Sequence, residues 1–474
     1  MHPLSDPTKL PRYSSSNDTI VAISTPPGRG GMGIVRLSGP QAVAVATPLL
    51  RLRHDLAPAQ ARFAEVLDPA TGERLDEAVV TWFASPHSYT SEDVVEIAAH
   101  GAPVVLEFIA LACIAAGARL ARPGEFTERA FLSGRLDLTQ AEAVRDLIDA
   151  QTLYQAKIAS EQLDGALSRR IRPIKQTLVD LIAELEAGID FAEDDIDVLP
   201  AREILSRIAA IFEPLQALAA GFAYGRVVRD GFSLAIVGRP NAGKSSLFNR
   251  LVQRERAIVT ATPGTTRDMV TERVSLGGIP IDLIDTAGIR DAADEAESLG
   301  IQKSREAVAD ADVVLLVLDA SMSRMDAHEQ ELLQQLAGRR ALAVCNKIDL
   351  PCARESKIEA SMAAIAEGFS LPMLRTSAVT GEGIAALQER ILELVRGSGV
   401  EMESGLVTNL RQQQEITAAM EALTAARMAV ETCVPHEMLL LDLYNVLRAL
   451  DALTGQTTID DILNRIFSTF CIGK

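Results

Sequence analysis

The stretch 238–246 constrains the fold of this chain more than any other feature of its sequence. It reads Gly-Arg-Pro-Asn-Ala-Gly-Lys-Ser-Ser and comes directly after the apolar run Phe232 to Val237. This spacing is typical of a P-loop, whose backbone N–H groups surround phosphate oxygens while the lysine reaches the β/γ-phosphates. A structural Gly-rich turn is the alternative, but the order strand, loop and helix predicts an α/β nucleotide-binding domain. The residues expected to line the phosphates are Asn241, Ala242, Gly243, Lys244, Ser245 and Ser246, with Lys244 as a catalytic group.

Three shorter motifs follow the P-loop in the order that guanine-nucleotide domains require. Asp-Thr-Ala-Gly at 285–288 follows the apolar run Ile279 to Ile284, and its carboxylate can hold Mg²⁺ through water. Asn-Lys-Ile-Asp at 346–349 follows another apolar run, and the two oxygens of Asp349 match the paired N–H donors of guanine, which adenine lacks. The predicted ligand is therefore GTP. Its expected contacts here are Asp285, Thr286, Ala287, Gly288, Asn346, Lys347, Asp349, Ser377 and Ala378.

Threonines between the P-loop and Asp285 offer hydroxyl groups to a metal ion. Thr265 and Thr266 can approach Mg²⁺ once a γ-phosphate orders this segment. The serine after Lys244 supplies another hydroxyl. We therefore expect Ser245 and Thr266 to ligate Mg²⁺.

Composition narrows the class of protein around these motifs. The chain has 474 residues, which predicts about two to four domains, and its 48 % hydrophobic but only 4 % aromatic content favours helical and α/β cores. Its 46 basic and 64 acidic residues give a net charge of −18, which is unusual for a protein that holds nucleic acid alone. No apolar stretch reaches the roughly 18 residues of a membrane span. Five scattered cysteines without a CxxC pair indicate reduced thiols and a cytoplasmic location.

The pattern along the chain predicts a multidomain α/β plus α architecture, with a Ras-like P-loop G domain inserted in a helical domain. Residues 1–17 lack an apolar core and are expected to be a disordered leader ahead of an N-terminal α/β domain at 18–134. Helical periodicity occupies 135–229 and again 397–474, on either side of the G domain at 230–396. Because the chain ends of a domain often lie close together, insertion is the simplest account.

Two local features test this organisation. Gly28, Gly30 and Gly33 fit the GxGxxG spacing of a dinucleotide-binding site, but the next residues are β-branched where that site needs a helix. We therefore predict a strand–loop–strand connection there. Pro173 lies inside the helical periodicity from 139 to 191 and should kink that helix or break it.

Several motifs outside the G domain carry a family resemblance. They are Asp-Thr-Ile-Val-Ala at 18–22, Thr-Pro-Pro-Gly-Arg-Gly-Gly at 25–31, Arg-Pro-Gly-Glu-Phe-Thr-Glu-Arg-Ala-Phe at 122–131 and the terminal Cys-Ile-Gly-Lys at 471–474. With the interrupted helical domain, they closely resemble the MnmE (TrmE) family of tRNA modification GTPases over residues 18–474. The resemblance implies an N-terminal domain that binds tetrahydrofolate and dimerises.

The resemblance also implies partners and a reaction. The chain would form a homodimer and work with MnmG, an FAD-containing protein, in a heterotetramer or larger complex. Together they would add an aminomethyl or carboxymethylaminomethyl group to C5 of the wobble uridine of certain tRNAs. The one-carbon unit would come from 5-formyl- or methylene-tetrahydrofolate. The acidic net charge of −18 indicates that tRNA is held largely by the partner, and nothing in the sequence predicts a membrane association.

By position, the family's potassium site falls on Asn241 and on a loop that would also contact GTP. That loop comprises Thr260, Ala261, Thr262, Pro263, Gly264, Thr265 and Thr266, with Asn241, Thr260, Thr262 and Thr265 as the potassium ligands. A cation beside the β/γ bridge stabilises developing charge, as an arginine finger does elsewhere. A plain loop-capping amide is the alternative interpretation of Asn241. The resemblance assigns Glu297 to positioning the attacking water, although its acidic run could be a solvated face.

The resemblance places a folate site on Arg36, Glu96, Arg135 and the terminal Lys474. A carboxylate can grip the amide edge of a pterin with both oxygens, and basic groups suit the glutamate tail. Several relatives carry lysine in place of Arg135, which keeps the charge but not its geometry. Arg36 and Glu96 could equally form an internal ion pair. Cys471 is expected in the active centre, as a covalent thiol or in a positional role.

A second function class stays open from the residues alone. A regulatory or ribosome-assembly GTPase shares the Asn-containing P-loop. Such a GTPase has no need of the N-terminal α/β domain or of the Cys-Ile-Gly-Lys tail. Both are present here, which favours the tRNA-modifying GTPase.

Overall fold

The computed structural model describes residues 18–190, 199–254, 272–285, 311–322, 325, 327–351, 371–396 and 406–455. Two compact units share the chain: Met1–Arg145 with Thr454–Lys474, and Asp146–Leu453. The second unit therefore holds most of the predicted helical region together with the predicted G domain. The predicted leader lies outside the described residues.

A seven-stranded sheet forms the body of the first unit. Its elements are β1 (Ile20–Ile23), β2 (Gly30–Ser38), α1 (Ala42–Ala46), β3 (Leu50–Leu52), β4 (Ala61–Leu67), β5 (Arg74–Phe83), β6 (Val94–Gly101), α2 (Pro103–Ala115), β7 (Arg119–Leu120) and α3 (Glu125–Leu132). The strand order is β3-β4-β5-β6-β2-β1-β7, and only the pair of β1 with β7 is parallel. Alternate residues such as Val35, Val80 and Ile97 are buried in one core with residues of α1 and α2, so one face of the sheet packs on these helices.

The glycines of the GxGxxG spacing lead into a strand. β2 begins at Gly30 and pairs with β6, with a register irregularity between Gly30 and Gly33. A Cβ on Gly33 would lie 2.4 Å from Leu106 Cδ1 of α2, so this glycine lets the strand approach the helix closely. The predicted strand–loop–strand connection is confirmed, and the dinucleotide-binding alternative is excluded because the glycines lead into strand β2 instead of into a helix.

Helices dominate from residue 138 to the G domain. They are α4 (Leu138–Asp149), α5 (Leu153–Leu163), α6 (Ala166–Asp190), α7 (Ala201–Ala220) and α8 (Phe222–Asp230). Thr152 and Gln155 form a capping box that starts α5, and Gly165, with φ +82, separates α5 from α6. α6 continues through Pro173, so a break at that residue is wrong. The capping residues, not the proline, decide where these helices begin and end.

A six-stranded sheet forms the G domain. Its elements are β8 (Phe232–Val237), α9 (Lys244–Arg254), β9 (Glu272–Leu276), β10 (Ile279–Asp285), β11 (Val313–Asp319), α10 (Ala327–Leu336), β12 (Ala341–Asn346), β13 (Met373–Arg375) and α11 (Ile384–Arg396). The order is β13-β12-β11-β8-β10-β9, parallel except for the antiparallel pair of β9 and β10. β11 and β12 are buried at every position, as strands covered on both faces must be.

Two helices follow the G domain and complete a core begun before it. They are α12 (Leu410–Glu431) and α13 (His436–Thr454). α7 packs against both α6 and α12. Buried residues such as Leu178, Ile211, Leu423 and Leu443 belong to one cluster although the G domain separates them along the chain. The predicted insertion of an α/β domain into a helical domain is therefore confirmed.

One helical stretch among the residues searched, Ala201–Asp230, is long and apolar enough to cross a membrane by length and composition alone. This is weak evidence, because the core helix of a soluble protein passes the same test. Ile204, Ile211 and Leu218 of this stretch lie in the helical core.

Candidate functional site

The P-loop joins the carboxyl end of β8 to the first turn of α9. Gly238 has φ +143, and a Cβ there would lie 2.3 Å from the carbonyl oxygen of Val317. Gly243 has φ +94, and a Cβ there would lie 2.3 Å from Nδ2 of Asn346. The backbone conformation and the close neighbours both require glycine. Asn241 lies in the left-handed region, with φ +63, and its side chain is exposed on the loop.

Lys244 begins α9, and the residue is only 8 % exposed. Its Nζ donates to the carbonyl oxygens of Gly238 at 2.8 Å and Arg239 at 2.9 Å. The loop therefore wraps around an ammonium group at the amino end of a helix. Ser245 and Ser246 follow in the same first turn, where free N–H groups and the helix dipole favour an anion.

Carboxyl ends of five parallel strands meet at the edge of the sheet that carries this loop: β8, β10, β11, β12 and β13. Asp285 of β10 lies in register with Ile236 of β8, just before the P-loop. Asp319 and Asn346 are neighbours at the ends of β11 and β12. Open α/β sheets bind ligands at such an edge.

Asn346 ties the P-loop to the segment that follows β13. It is 1 % exposed, donates from Nδ2 to the carbonyl oxygen of Ala242 at 3.2 Å, and accepts at Oδ1 from the N–H of Ala378 at 3.0 Å. Asp349 accepts at Oδ1 from the hydroxyl of Ser377 at 2.6 Å. The structure thus brings together three motifs that lie far apart in the sequence.

Asp319 is a residue of this edge that sequence analysis missed. Nζ of Lys347, a residue with φ +67, donates to Asp319 Oδ2 at 2.7 Å. Burial raises the pKa of Asp319, but hydrogen bonds from Lys347 and Ser321 outweigh it, so the pKa lies below its usual value. The signal that could have found Asp319 is its position directly after the apolar run Val313 to Leu318, where the other motifs also stand.

Part of the predicted site lies outside the described residues. It comprises Thr260, Ala261, Thr262, Pro263, Gly264, Thr265, Thr266, Thr286, Ala287, Gly288, Glu297, Cys471 and Lys474. Among the residues that the structure does describe, no group of three or more His, Cys, Asp or Glu side chains could hold a metal ion.

The predicted folate residues Arg36 and Glu96 are directly opposite each other on β2 and β6. The Arg36 guanidinium donates to Oε1 of Glu96 from Nη2 at 2.7 Å and from Nε at 2.9 Å. Two aromatic rings, of Tyr89 and Phe126, have their centroids 5.7 Å from the guanidinium carbon. The internal ion pair therefore exists, and it lies on the face of the sheet opposite α1 and α2.

Tyr89 joins Arg135 to this cluster, and sequence analysis missed it. Burial raises the pKa of Tyr89, while a hydrogen bond with Thr127 at 2.9 Å and the charges of Arg36 and Arg135 lower it in part. Arg135 is exposed. Two of the four predicted folate residues, Arg36 and Arg135, thus act on the partly buried Tyr89, and Arg36 also pairs with a third, Glu96.

Comparison with known proteins bears on nearly the whole chain. The family model for the N-terminus of the GTP-binding protein TrmE matches residues 19–135, and the model for the MnmE helical domain matches residues 138–471. The curated tRNA modification GTPase MnmE of Koribacter versatilis is 61 % identical over 461 residues, which cover 97 % of this chain and 99 % of that protein. The chain belongs to the MnmE family of tRNA modification GTPases.

A less similar relative matches nearly the whole chain, whereas a solved structure matches only part of it. The tRNA modification GTPase MnmE of Aquifex aeolicus is 40 % identical over 459 residues, 96 % of this chain and 100 % of that protein. Among solved structures, the G domain of the T. maritima FeoB iron transporter is 28 % identical and covers 34 % of this chain and 98 % of that one. Its TM-score of 0.24 is too low to support an argument about the fold.

The family motif at 122–131 turns out to be the centre of a buried ionic network. Arg129, at 6 % exposure, pairs with Asp18 at 2.8 Å, Glu92 at 2.9 Å and Glu125 at 3.2 Å. Arg119 pairs with both Asp18 and Glu125. Each buried charge therefore has partners of opposite sign, which is what makes its burial tolerable.

This network fixes α3 against the sheet. Burial alone would raise the pKa of Glu125, but hydrogen bonds from Arg119 and from the N–H of Arg122 hold it at about 2. α3 also carries Phe126 and Thr127, the residues that contact Arg36 and Tyr89. The motif thus positions one wall of the Arg36–Glu96 cluster.

Proposed function

We propose that this GTPase, with an FAD-containing MnmG partner, adds an aminomethyl or carboxymethylaminomethyl group to C5 of the wobble uridine of certain tRNAs. The observation that carries the proposal is the identity of 61 % over 97 % of the chain to a tRNA modification GTPase. The proposed domains are a leader at 1–17, a folate-binding and dimerising domain at 18–134, helical parts at 135–229 and 397–474, and the G domain at 230–396. No observation favours the ribosome-assembly alternative.

The strand edge described above is suited to GTP. Lys244 would exchange its carbonyl partners for β/γ-phosphate oxygens, a stronger charge-assisted interaction. Asp349 already has Oδ1 oriented by Ser377, so Oδ2 is left to share the paired donors of guanine. Asn346 would keep the phosphate and base segments at a fixed separation, because it bonds to both of them.

Mg²⁺ and K⁺ are the metal ions of this proposal. Ser245 and Thr266 would hold Mg²⁺, and K⁺ would be held by Asn241, Thr260, Thr262 and Thr265. Asn241 fits this role because its amide, a neutral oxygen ligand of the kind that such cations accept, is exposed on the P-loop. The cations would supply positive charge beside the β/γ bridge. Glu297 would orient the attacking water.

Tetrahydrofolate, as the 5-formyl or the methylene form, is the proposed one-carbon donor. Both bonds from Arg36 reach the same oxygen of Glu96, whose side chain is 26 % exposed, so the other oxygen can face the amide edge of a pterin. The Tyr89 ring beside it offers an aromatic surface. Arg135 and Lys474 suit the glutamate tail. Cys471 would complete the active centre from the same tail.

A homodimer is supported by apolar residues on the face of the N-terminal sheet opposite α1 and α2. Phe63, Val79, Ala98 and Ile34 form a continuous row across β4, β5, β6 and β2. Phe63 is 55 % exposed and Val79 is 43 % exposed. An apolar row with exposed members favours burial against a second protein surface.

Charge and thiol chemistry support the remaining partners and the location. At a net charge of −18 this chain would repel phosphates, so tRNA is held largely by MnmG in the heterotetramer or larger complex. The described cysteines, Cys113, Cys345 and Cys433, form no disulfide bond, in keeping with a reducing cytoplasm.

Nucleoside mass spectrometry of tRNA tests the proposal in cells that lack the chromosomal gene. Wild-type protein should restore the modified wobble uridine. Cys471→Ser should hydrolyse GTP at a nearly normal rate without restoring it, because the guanine and phosphate contacts lie elsewhere in the chain. Glu297→Ala should bind GTP but lose both activities. Unmodified uridine with the wild-type protein present would refute the proposal, and full activity of Cys471→Ser would remove that residue from the active centre.

A further inference from the structure

Strand β10 runs from the nucleotide edge to a turn at the opposite end of the G domain. Its last residue, Asp285, is at that edge, and the turn Gly277–Gly278 precedes its first residue, Ile279. Seven strand residues span about 20 Å. β10 pairs with β8 on one side and β9 on the other, so a displacement at one end is carried to the other by a hydrogen-bonded unit.

The turn at the far end is held by the first residues of α5, which belongs to the helical region. The Thr152 hydroxyl donates to the carbonyl oxygen of Gly278 at 2.5 Å. A Cβ on Gly278, whose φ is +85, would lie 2.5 Å from Cβ of Tyr154. The Tyr154 hydroxyl is 3.3 Å from that of Tyr224 on α8. The turn is therefore in direct contact with a side chain that also reaches the connection to β8.

The same helix holds both places where the chain passes between the helical region and the G domain. At the outgoing connection, Gln155 Nε2 donates to the carbonyl oxygens of Val228 at 3.0 Å and Arg229 at 2.7 Å. At the return connection, Gln162 Nε2 donates to the carbonyl oxygen of Leu406 at 2.7 Å. Gln155 and Gln162 are seven positions apart, which places them on one side of α5. Both residues are buried.

The two connections also touch each other. A Cβ on Gly225 of α8 would lie 2.1 Å from the carbonyl oxygen of Val407, so the backbones are in close contact there. Neither connection can slide past the other without breaking this contact. A change in the G domain can reach α5 through the turn at Gly278, because Thr152 and Tyr154 contact that turn with their side chains.

We propose that α5 couples the nucleotide cycle to the tRNA-modifying function, with Thr152 and Tyr154 as positioning residues that respond to the β9–β10 turn. These residues lie against the turn at the end of β10 opposite the nucleotide edge. They transmit a shift of β10 to the helix that holds both chain connections. The proposal rests on the proposed function, since it needs a modification reaction to be coupled.

Alanine at Tyr154 tests the coupling, and the neighbouring Leu153→Ala is its matched control because Leu153 is 91 % exposed on the same first turn. Phosphate release, nucleotide affinity, thermal unfolding and wobble-uridine mass spectrometry would be measured on each full-length protein with its partner. Tyr154→Ala should hydrolyse GTP within about twofold of wild type but form about tenfold less modified uridine per GTP, within the usual range of coupling between sites. Leu153→Ala should match wild type in both.

A second pair separates coupling from a loss of folding. Thr152→Val removes the hydroxyl that bonds to Gly278, and Thr152→Ser retains it. The valine variant should show the same fall in modification per GTP, and the serine variant should recover it. Unchanged modification per GTP in both Tyr154→Ala and Thr152→Val, or a fall that follows lost thermal stability and lost hydrolysis, would overturn the role of α5. Absence of modification with the wild-type protein would instead reject the proposed function.

Discussion

Replacing Asp349 by asparagine should convert the nucleotide specificity of this GTPase. Ser377 donates to Oδ1 of the carboxylate at 2.6 Å, and an asparagine oxygen can keep that bond. The amide NH₂ would then replace the oxygen that faces the base, so a donor meets the donors of guanine. A hydrogen bond to a charged group contributes about 1.5–3 kcal/mol. Because the two donors of guanine both lose their acceptor, the binding free energy should weaken by about 4 kcal/mol, which is roughly a thousandfold in Kd.

Titration with fluorescent GDP and xanthosine diphosphate measures this change. Xanthine carries a carbonyl where guanine carries its amino group, so the asparagine variant should bind the xanthine nucleotide more tightly than the guanine one. Glu382→Gln is a suitable control because it changes a carboxylate to an amide on an exposed residue of the following loop. An asparagine variant that still prefers GDP with near-normal affinity would refute the assignment of Asp349 to the base.

Three other predictions follow from the site and from the ionic network. GTP turnover should be about tenfold or more faster in KCl than in NaCl, and Asn241→Ala should abolish that difference; equal rates in the two salts would reject the cation site. Gly243→Ala should lose nucleotide affinity because its Cβ meets Asn346, whereas Gly338→Ala, at φ +75 with open space around it, should bind normally. The pKa of Glu125 is about 2 in the folded protein and 4.5 in the unfolded chain. This difference contributes about 3 kcal/mol to the free energy of unfolding. The contribution is present above pH 4.5 and is lost as the pH falls towards 2. The free energy of unfolding should therefore fall less steeply with decreasing pH in Glu125→Gln than in Glu73→Gln, where the substituted residue is exposed and serves as the control.

The nucleotide edge of the G domain was largely predictable because each motif follows a buried strand. Parallel strands end at the same edge, so the sequence alone places Asn346 and Asp349 near the P-loop. The pairing of Asp319 with Lys347 was not predictable, because it depends on the unusual φ of Lys347 and joins residues from different loops. No local pattern encodes such a contact.

The N-terminal domain shows where reasoning from sequence fails for physical reasons. The sequence left open whether Arg36 and Glu96 pair with each other. The register of β2 with β6 decides it, and nothing near either residue specifies that register. Charged residues are usually exposed, so a motif as charged as 122–131 suggests a solvated surface. Arg129 and Glu125 are instead buried, because partners from distant segments neutralise them. Long-range ionic partners are invisible until the sheet is assembled.

The contact between Gly225 and Val407 also bears on how such a chain can arise. Because the two connections touch, the G domain is equivalent to a long loop whose ends are in contact. The entropy of closing a loop grows only slowly with its length. In a helical protein, a whole folded domain could therefore replace a short surface turn at this place with little additional loss of chain entropy. The G domain would then be an inserted domain. Its removal would leave the helical core able to pack, which is formed by α6, α7, α12 and α13. A chain without the G domain would need only a few residues to bridge the same gap, because Gly225 and Val407 are already in contact.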